Sequence, residues 1–93
     1  MAATLRMPPI LRPEVGGNRE VAVEGGTLGD AFEDLFDRYP GVRSRLVDDD
    51  GNLNRFVNVY VDSEDVRLGD GLATELEPGT TVIVLPAMAG GAG

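Results

Sequence analysis

Apolar and polar residues alternate from Ala3 to Met7, with Leu5 and Met7 on one side and Thr4 and Arg6 on the other, the period-2 pattern of a half-buried strand. Pro8 and Pro9 end it. Leu11 to Asn18 carries Pro13, Gly16 and Gly17 and reads as a connection, after which Arg19 to Glu24 alternates again with Val21 and Val23 inward. The two runs predict a hairpin. Gly25 and Gly26 then precede Thr27, a good N-cap, with Asp30 in a capping-box position near the positive end of a helix dipole. From there Leu28, Ala31, Phe32, Leu35, Phe36 and Tyr39 fall on one helical stripe, Glu33, Asp34, Asp37 and Arg38 cover the solvated face, and Pro40 with Gly41 stops the helix.

Val42 to Val47 is too short to classify, and Asp48-Asp49-Asp50-Gly51-Asn52 is an acidic turn. Its carboxylates invite a calcium reading, but an EF-hand loop wants glycine at position six and glutamate at position twelve; counted from Asp48, Gly51 falls at four and Val59 at twelve. A solvated turn is the expectation. Leu53 to Val61 alternates with Val57, Val59 and Val61 on the side suited to the helix, leaving Phe56 and Tyr60 on the far face as rim packing or a binding patch. Asp62 to Asp65 turns the chain, Val66 and Arg67 predict a very short edge strand, and Leu72 to Leu76 one helical turn. Glu77-Pro78-Gly79-Thr80 fits a type II turn. Thr81 to Leu85 is apolar on both faces, which predicts a central strand; with Val82 and Val84 under the helix, Ile83 and Leu85 share the open face with Phe56 and Tyr60.

The order of strand, strand, helix, strand, short strand, strand predicts an α+β chain with a mixed four- to five-stranded sheet and one main helix. A helix after a hairpin crosses over to a parallel strand, and the right-handed rule leaves few topologies. This is the β-grasp arrangement, with the last strand beside the first. Residues 1–86 form the domain, and 87–93 read as a flexible tail with almost no side chains.

Composition narrows the chemistry. The chain has 93 residues, 16 acids against 8 bases, no cysteine, histidine or tryptophan, and every base is arginine. Thiolate nucleophile, imidazole base, Cys/His zinc site, disulfide and lysine Schiff base are therefore all excluded. A net charge of −8 without a basic cluster argues against binding nucleic acid or an anionic membrane. No apolar run reaches the length of a signal peptide or a membrane span, so a soluble cytoplasmic protein is expected. What remains is glycine, which fills three of the last four positions. Gly90 and Gly91 have no Cβ atoms, so this segment can thread a narrow tunnel where any side chain would clash. The alternative is a terminus that merely frays. A terminal carboxylate is a poor electrophile and needs an acyl-adenylate made by another protein, because Gly25-Gly26 lacks the pattern of a phosphate-cradling loop.

The runs Arg55-Phe56-Val57-Asn58-Val59-Tyr60-Val61, Glu64-Asp65-Val66-Arg67, Gly71-Leu72-Ala73-Thr74 and Val82-Ile83-Val84-Leu85-Pro86-Ala87-Met88-Ala89-Gly90-Gly91 resemble the ubiquitin-like sulfur carrier proteins of the ThiS/MoaD superfamily. Ile10-Leu11-Arg12-Pro13 and Gly26-Thr27-Leu28-Gly29 agree as well, so the likeness spans nearly the whole chain. Within the superfamily it is closest to the branch that serves an actinobacterial route to cysteine.

The resemblance implies a carrier that is not an enzyme, has no catalytic or metal-binding residue and holds no stable cofactor. An ATP-dependent, ubiquitin-activating-like adenylating enzyme would activate the terminal glycine, and sulfur transfer would convert it to a thiocarboxylate. Gly91 would carry the reactive carbonyl and Gly90 give access to it. The thiocarboxylate would attack an aminoacrylate on a cysteine synthase dependent on pyridoxal phosphate (PLP), or another sulfur acceptor; an S-to-N acyl shift follows, and a zinc JAMM-type metalloprotease releases cysteine. Leu85 and Met88, with Ile83, Phe56 and Tyr60, would present the apolar surface to partners, with plain sheet packing the alternative for Ile83 and Leu85. One departure stands out: the active form of the family ends at Gly-Gly, whereas Ala92-Gly93 follow here, so cleavage between Gly91 and Ala92 is expected first. Three rival readings stay open: a molybdopterin synthase small subunit, a ubiquitin-like protein modifier, and a β-grasp module that binds partners without tail chemistry.

Overall fold

The structure is a computed structural model that describes residues 2–87. Strand β1 (Ala2–Arg6) pairs antiparallel with β2 (Glu20–Glu24), as the alternation predicts. Leu5 faces Val21 and Ala3 faces Val23, all four buried. The connection between them is more ordered than its prolines suggested. Pro9–Val15 winds into a 3₁₀ helix that buries Leu11 and Val15 and ends at Gly16, whose φ of 69° is the left-handed conformation a glycine cap supplies. Leu11 and Val15, four apart, were the sign of that turn in the sequence.

Helix α1 (Leu28–Arg38) starts where Thr27 accepts a hydrogen bond from the Asp30 backbone N–H at 3.2 Å. Leu28, Ala31, Phe32, Leu35 and Phe36 are buried, and Tyr39 packs partly buried at the end of the stripe. The segment after it resolves into Pro40–Val42 in a 3₁₀ turn and α2 (Arg43–Leu46), which put Val42 and Leu46 into the same core. Asp48 spends one carboxylate oxygen on the backbone N–H groups of Asp50 and Asn52, at 2.9 and 3.0 Å. The acidic turn is thus a self-bonded loop.

Strand β3 (Val57–Val61) is shorter than the alternation from Leu53 predicted. Asn54 folds its side chain onto the Phe56 N–H at 2.8 Å, and Leu53 instead bridges Val47, so the backbone joins the ladder only at Val57. The predicted edge strand at Val66-Arg67 is also displaced. Strand β4 is Glu64–Asp65, and Val66–Leu68 forms a 3₁₀ turn because the Asp65 carboxylate accepts from the Arg67 N–H at 2.9 Å. Asp62 and Ser63 both have positive φ, 53° and 70°, so a two-residue type I′ turn closes the β3–β4 hairpin and sets this register. The helical turn predicted at Leu72–Leu76 contracts to a 3₁₀ turn at Gly71–Ala73, and Glu75 bridges Thr27. The Pro78-Gly79 turn forms as read, with Gly79 at φ 81° and the Thr80 N–H bonded to Glu77 carbonyl at 3.1 Å.

Strand β5 (Thr81–Pro86) runs parallel to β1 and antiparallel to β3, giving the five-stranded order β2-β1-β5-β3-β4. One face carries α1 and the core; the other is open. The outer edge of β2 is closed from the helix: Arg38 donates to the Ala22 carbonyl at 2.6 Å and Asp34 accepts from the Glu24 N–H at 3.0 Å, while the two side chains bond each other at 3.1 Å. That pair caps backbone groups that would otherwise template another strand.

Candidate functional site

Being central, β5 is paired with β1 as far as Ile83 and with β3 as far as Pro86, where it delivers the chain out of the sheet. Strand pairing places Ile83 between Arg6 on β1 and Tyr60 on β3, with Glu20 and Asp65 completing the cross-strand row. Leu85 faces Asn58 in the next row. Ile83 and Tyr60 are half-buried in this row, whereas Leu85 is 43% exposed, so sheet packing accounts for the first two better than for the third. Val82 and Val84, on the opposite face, are fully buried.

Phe56 precedes β3 and is 54% exposed. Its backbone is held from several sides: Asn54 accepts from its N–H, its carbonyl accepts from the Ala87 N–H at 2.8 Å, and Arg67 donates to the flanking carbonyls of Asn54 and Val57 at 3.0 and 2.6 Å. The Arg55 guanidinium lies 5.1 Å from the ring centroid. An exposed aromatic on so constrained a backbone loses little entropy on binding.

Two hollows flank Pro86. One, about 940 Å³, lies along Pro8, Pro9, Ile10, Ile83 and Leu85, with Arg6, Arg12 and Arg19 beside them. The other, about 270 Å³, lies between Ile10, Ser44, Arg45, Asn54 and Phe56. Ile10 stands between the two, 69% exposed, so an apolar rim of Ile10, Phe56 and Leu85 surrounds the point where the chain leaves the sheet. Of the predicted partner surface, the structure therefore brings together Phe56, Tyr60, Ile83 and Leu85. Met88, Gly90, Gly91 and Ala92 lie outside the described residues. Neither Ile10 nor any of the three arginines stands out as a site residue in the sequence. Ile10 was legible only as the one apolar residue of the Pro9–Val15 turn that its Leu11/Val15 spacing leaves outside.

Among the described residues no group of three or more carboxylates is arranged to hold a metal, and no helix is long and apolar enough to cross a membrane.

Comparison with known proteins decides the family, since residues 10–91 match the ThiS family. The chain belongs to the ThiS family. Among its ThiS-family relatives is the sulfur carrier protein CysO of Mycobacterium tuberculosis (strain ATCC 25618 / H37Rv), 48% identical over 93 residues, which span 98% of this chain and all of CysO. The crystal structure of M. tuberculosis CysO superposes with a TM-score of 0.86 over 92% of this chain and 99% of that one, at 46% identity. A chain of the Amycolatopsis orientalis BexX/CysO complex superposes with a TM-score of 0.87 at 41% identity, covering 94% of this chain and 97% of that one. Small archaeal modifier protein 1 of Haloferax volcanii is 35% identical over 81 residues, 84% of this chain and 88% of the modifier. Its crystal structure superposes with a TM-score of 0.78 at 28% identity over 94% and 98% of the chains. The ThiS-family fold is thus the β-grasp, ubiquitin-like fold that the element order predicted.

Proposed function

We propose that this protein is a sulfur carrier whose reagent is its own Gly90-Gly91 terminus, exposed after removal of Ala92-Gly93. A partner enzyme uses ATP to adenylate the Gly91 carboxylate, releasing pyrophosphate; a sulfur donor displaces AMP and leaves a thiocarboxylate. In this reading the carrier contributes no catalytic group. It contributes a rigid handle, an unbranched tail and the absence of internal traps, since no cysteine, lysine or histidine side chain is present to capture the activated acyl group.

The observation that carries the reading is the placement of the tail root. A central strand, paired on both sides, ends at Pro86 inside a rim of exposed apolar residues, Ile10, Phe56 and Leu85. A partner that grips this rim holds the chain a few residues upstream of Gly91, which orients the reacting carbonyl for transfer. The relationship to CysO supports cysteine biosynthesis as the destination of the sulfur, with a PLP-dependent synthase as acceptor and a JAMM-type metalloprotease as the releasing and trimming enzyme.

Intact mass spectrometry tests the reading. Protein isolated from its native cell is expected to end at Gly91 and to carry one sulfur in place of one oxygen, and a cysteine adduct would place it in cysteine synthesis. A native population that retains Ala92-Gly93 throughout and carries no sulfur overturns the proposal. The likeness to a small archaeal modifier favours a second reading, attachment of Gly91 to lysines of other proteins. Conjugates of higher mass that disappear on deletion of Gly91 would establish it.

A further inference from the structure

The larger hollow beside Pro86 has an asymmetry that the carrier reading does not use. Its apolar side is Pro8, Pro9, Ile10, Ile83 and Leu85; beside them stand Arg6, Arg12 and Arg19, with Glu20 the one carboxylate. On a chain of net charge −8 this groove collects three of the eight positive side chains. Four of the other five are engaged elsewhere. Arg38 pairs with Asp34, Arg43 with Glu33 and Arg45 with Glu14, and Arg67 binds backbone carbonyls.

The groove arginines differ. Arg6 meets Glu20 loosely at 3.6 Å, with both side chains more than half exposed. Arg12 is half-buried and anchored by its Nε to the Met7 carbonyl at 3.1 Å, which fixes the stem and leaves the two terminal nitrogens without an ion pair among the described residues. Arg19 likewise has no carboxylate within ion-pair distance among the described residues. A tethered guanidinium beside an apolar floor is a preorganised fork for a carboxylate.

We propose that this groove docks an extended acidic segment of the partner protein, one that places an apolar side chain over Ile10, Ile83 and Leu85 and carboxylates against Arg12 and Arg19. The inference rests on the reading that partners meet the end of β5, and it adds the chemistry of the element they bring. Charge complementarity selects that occupant. The remainder of this acidic surface repels a negative segment, so the groove is where it can settle, and Arg6, Arg12 and Arg19 set its direction and register. A basic segment would find the opposite: attraction almost everywhere, repulsion in the groove.

The test uses the full chain, labelled with ¹⁵N, and the synthetic peptide acetyl-Asp-Glu-Leu-Phe-Glu-Asp-amide, with the Asn/Gln analogue and an Arg/Lys analogue beside it. The acidic peptide is expected to shift the amides of Ile10, Arg12, Arg19, Ile83 and Leu85. Its affinity should weaken about tenfold or more in R12E/R19E, stay unchanged in R43E outside the groove, and fall as sodium chloride rises from about 0.05 to about 0.5 M. Circular dichroism confirms that each variant is folded; R12Q/R19Q, with an intermediate loss, replaces the reversal should it fail to fold. Equal binding of the Asn/Gln analogue, shifts confined to other surfaces, no binding of the acidic peptide, or an unaltered affinity in both double variants overturns the proposal. Thiolation of the tail is measured separately on wild type. If the tail is thiolated while the peptide leaves the groove untouched, the groove assignment alone falls; if the peptide binds as stated and the tail is never thiolated, the carrier reading falls and the docking surface stands.

Discussion

Thr80 donates its hydroxyl to an Asp62 carboxylate oxygen at 2.9 Å, tying the turn that launches β5 to the turn that joins β3 to β4. Thr80 is buried, while Asp62 and Ser63 are exposed and held at positive φ. The bond and the backbone conformation act in opposite directions on stability, and substitution separates them. Thr80→Val, which keeps the shape and removes the donor, is expected to lower unfolding free energy by about 1 kcal/mol. Ser63→Gly relieves a left-handed residue and is expected to raise it by about 0.5 kcal/mol. Urea unfolding at constant slope reads both; a stabilising Thr80→Val would show that the hydrogen bond contributes nothing net.

Gly25 and Gly26 look alike in the sequence and differ in space. A Cβ on Gly25 would lie 2.6 Å from the Ala31 backbone nitrogen, inside the first turn of α1, whereas one on Gly26 meets nothing within 4 Å. Gly25→Ala is expected to cost about 2 kcal/mol or more, because helix backbone cannot step aside as a flexible side chain can. Gly26→Ala should stay within about 0.5 kcal/mol of wild type. Thermal unfolding of the pair, side by side, checks the contrast.

Phe32 is the largest fully buried side chain, packed with Phe36 at a centroid distance of 5.9 Å. Phe32→Ala is expected to cost about 3–5 kcal/mol, a large part of the margin of a domain this size. Leu68, 88% exposed on its 3₁₀ turn, sets the comparison: Leu68→Ser should change stability by less than about 0.5 kcal/mol.

The apolar rim should matter to partners and not to folding. Leu85→Asp and Phe56→Ala remove exposed side chains, so both variants are expected to melt within a few degrees of wild type. Under the carrier reading, each should be adenylated about tenfold more slowly by the activating enzyme at limiting carrier concentration. Unchanged single-turnover rates in both would remove the rim from the binding surface.

Arg38 closes the β2 edge through the Ala22 carbonyl, so its loss exposes an unpaired strand edge. Arg38→Ala is expected to unfold at slightly lower urea and to show concentration-dependent association in sedimentation velocity. A strictly monomeric variant at high concentration would mean that Asp34 and the remaining twist suffice.

Where a local rule decided the backbone, the sequence was legible. The stripe Leu28 to Phe36, the cap at Thr27 and the Pro78-Gly79 turn each formed as read, because periodicity, one hydroxyl and one positive-φ residue are short-range causes. The misplaced elements were those where a side chain took a backbone hydrogen bond that a strand ladder would need. Residues 53–56 alternate like a strand, yet Arg67 and Asn54 take the hydrogen bonds that a ladder would need. Val66-Arg67 has strand propensity, yet the Asp65 carboxylate accepts from the Arg67 N–H and winds Val66–Leu68 into a 3₁₀ turn, so pairing ends at Asp65.

By itself the sequence determined the β-grasp order of elements, an unbranched Gly-Gly segment and the absence of cysteine, lysine and histidine, since composition and periodicity need no third dimension. The likeness to the ThiS family was carried by its motifs, Arg55 to Val61 and Val82 to Gly91 among them. Tertiary structure alone decided what surrounds the root of that tail. Ile10 comes from a turn that reads as mere connection, Phe56 from a segment clamped by Arg67, and Arg6, Arg12 and Arg19 from three stretches of chain. Element order already sets β5 beside β1; which side chains the Pro9–Val15 turn and the ends of β1 and β2 bring to that junction depends on packing between distant stretches, which no local pattern encodes.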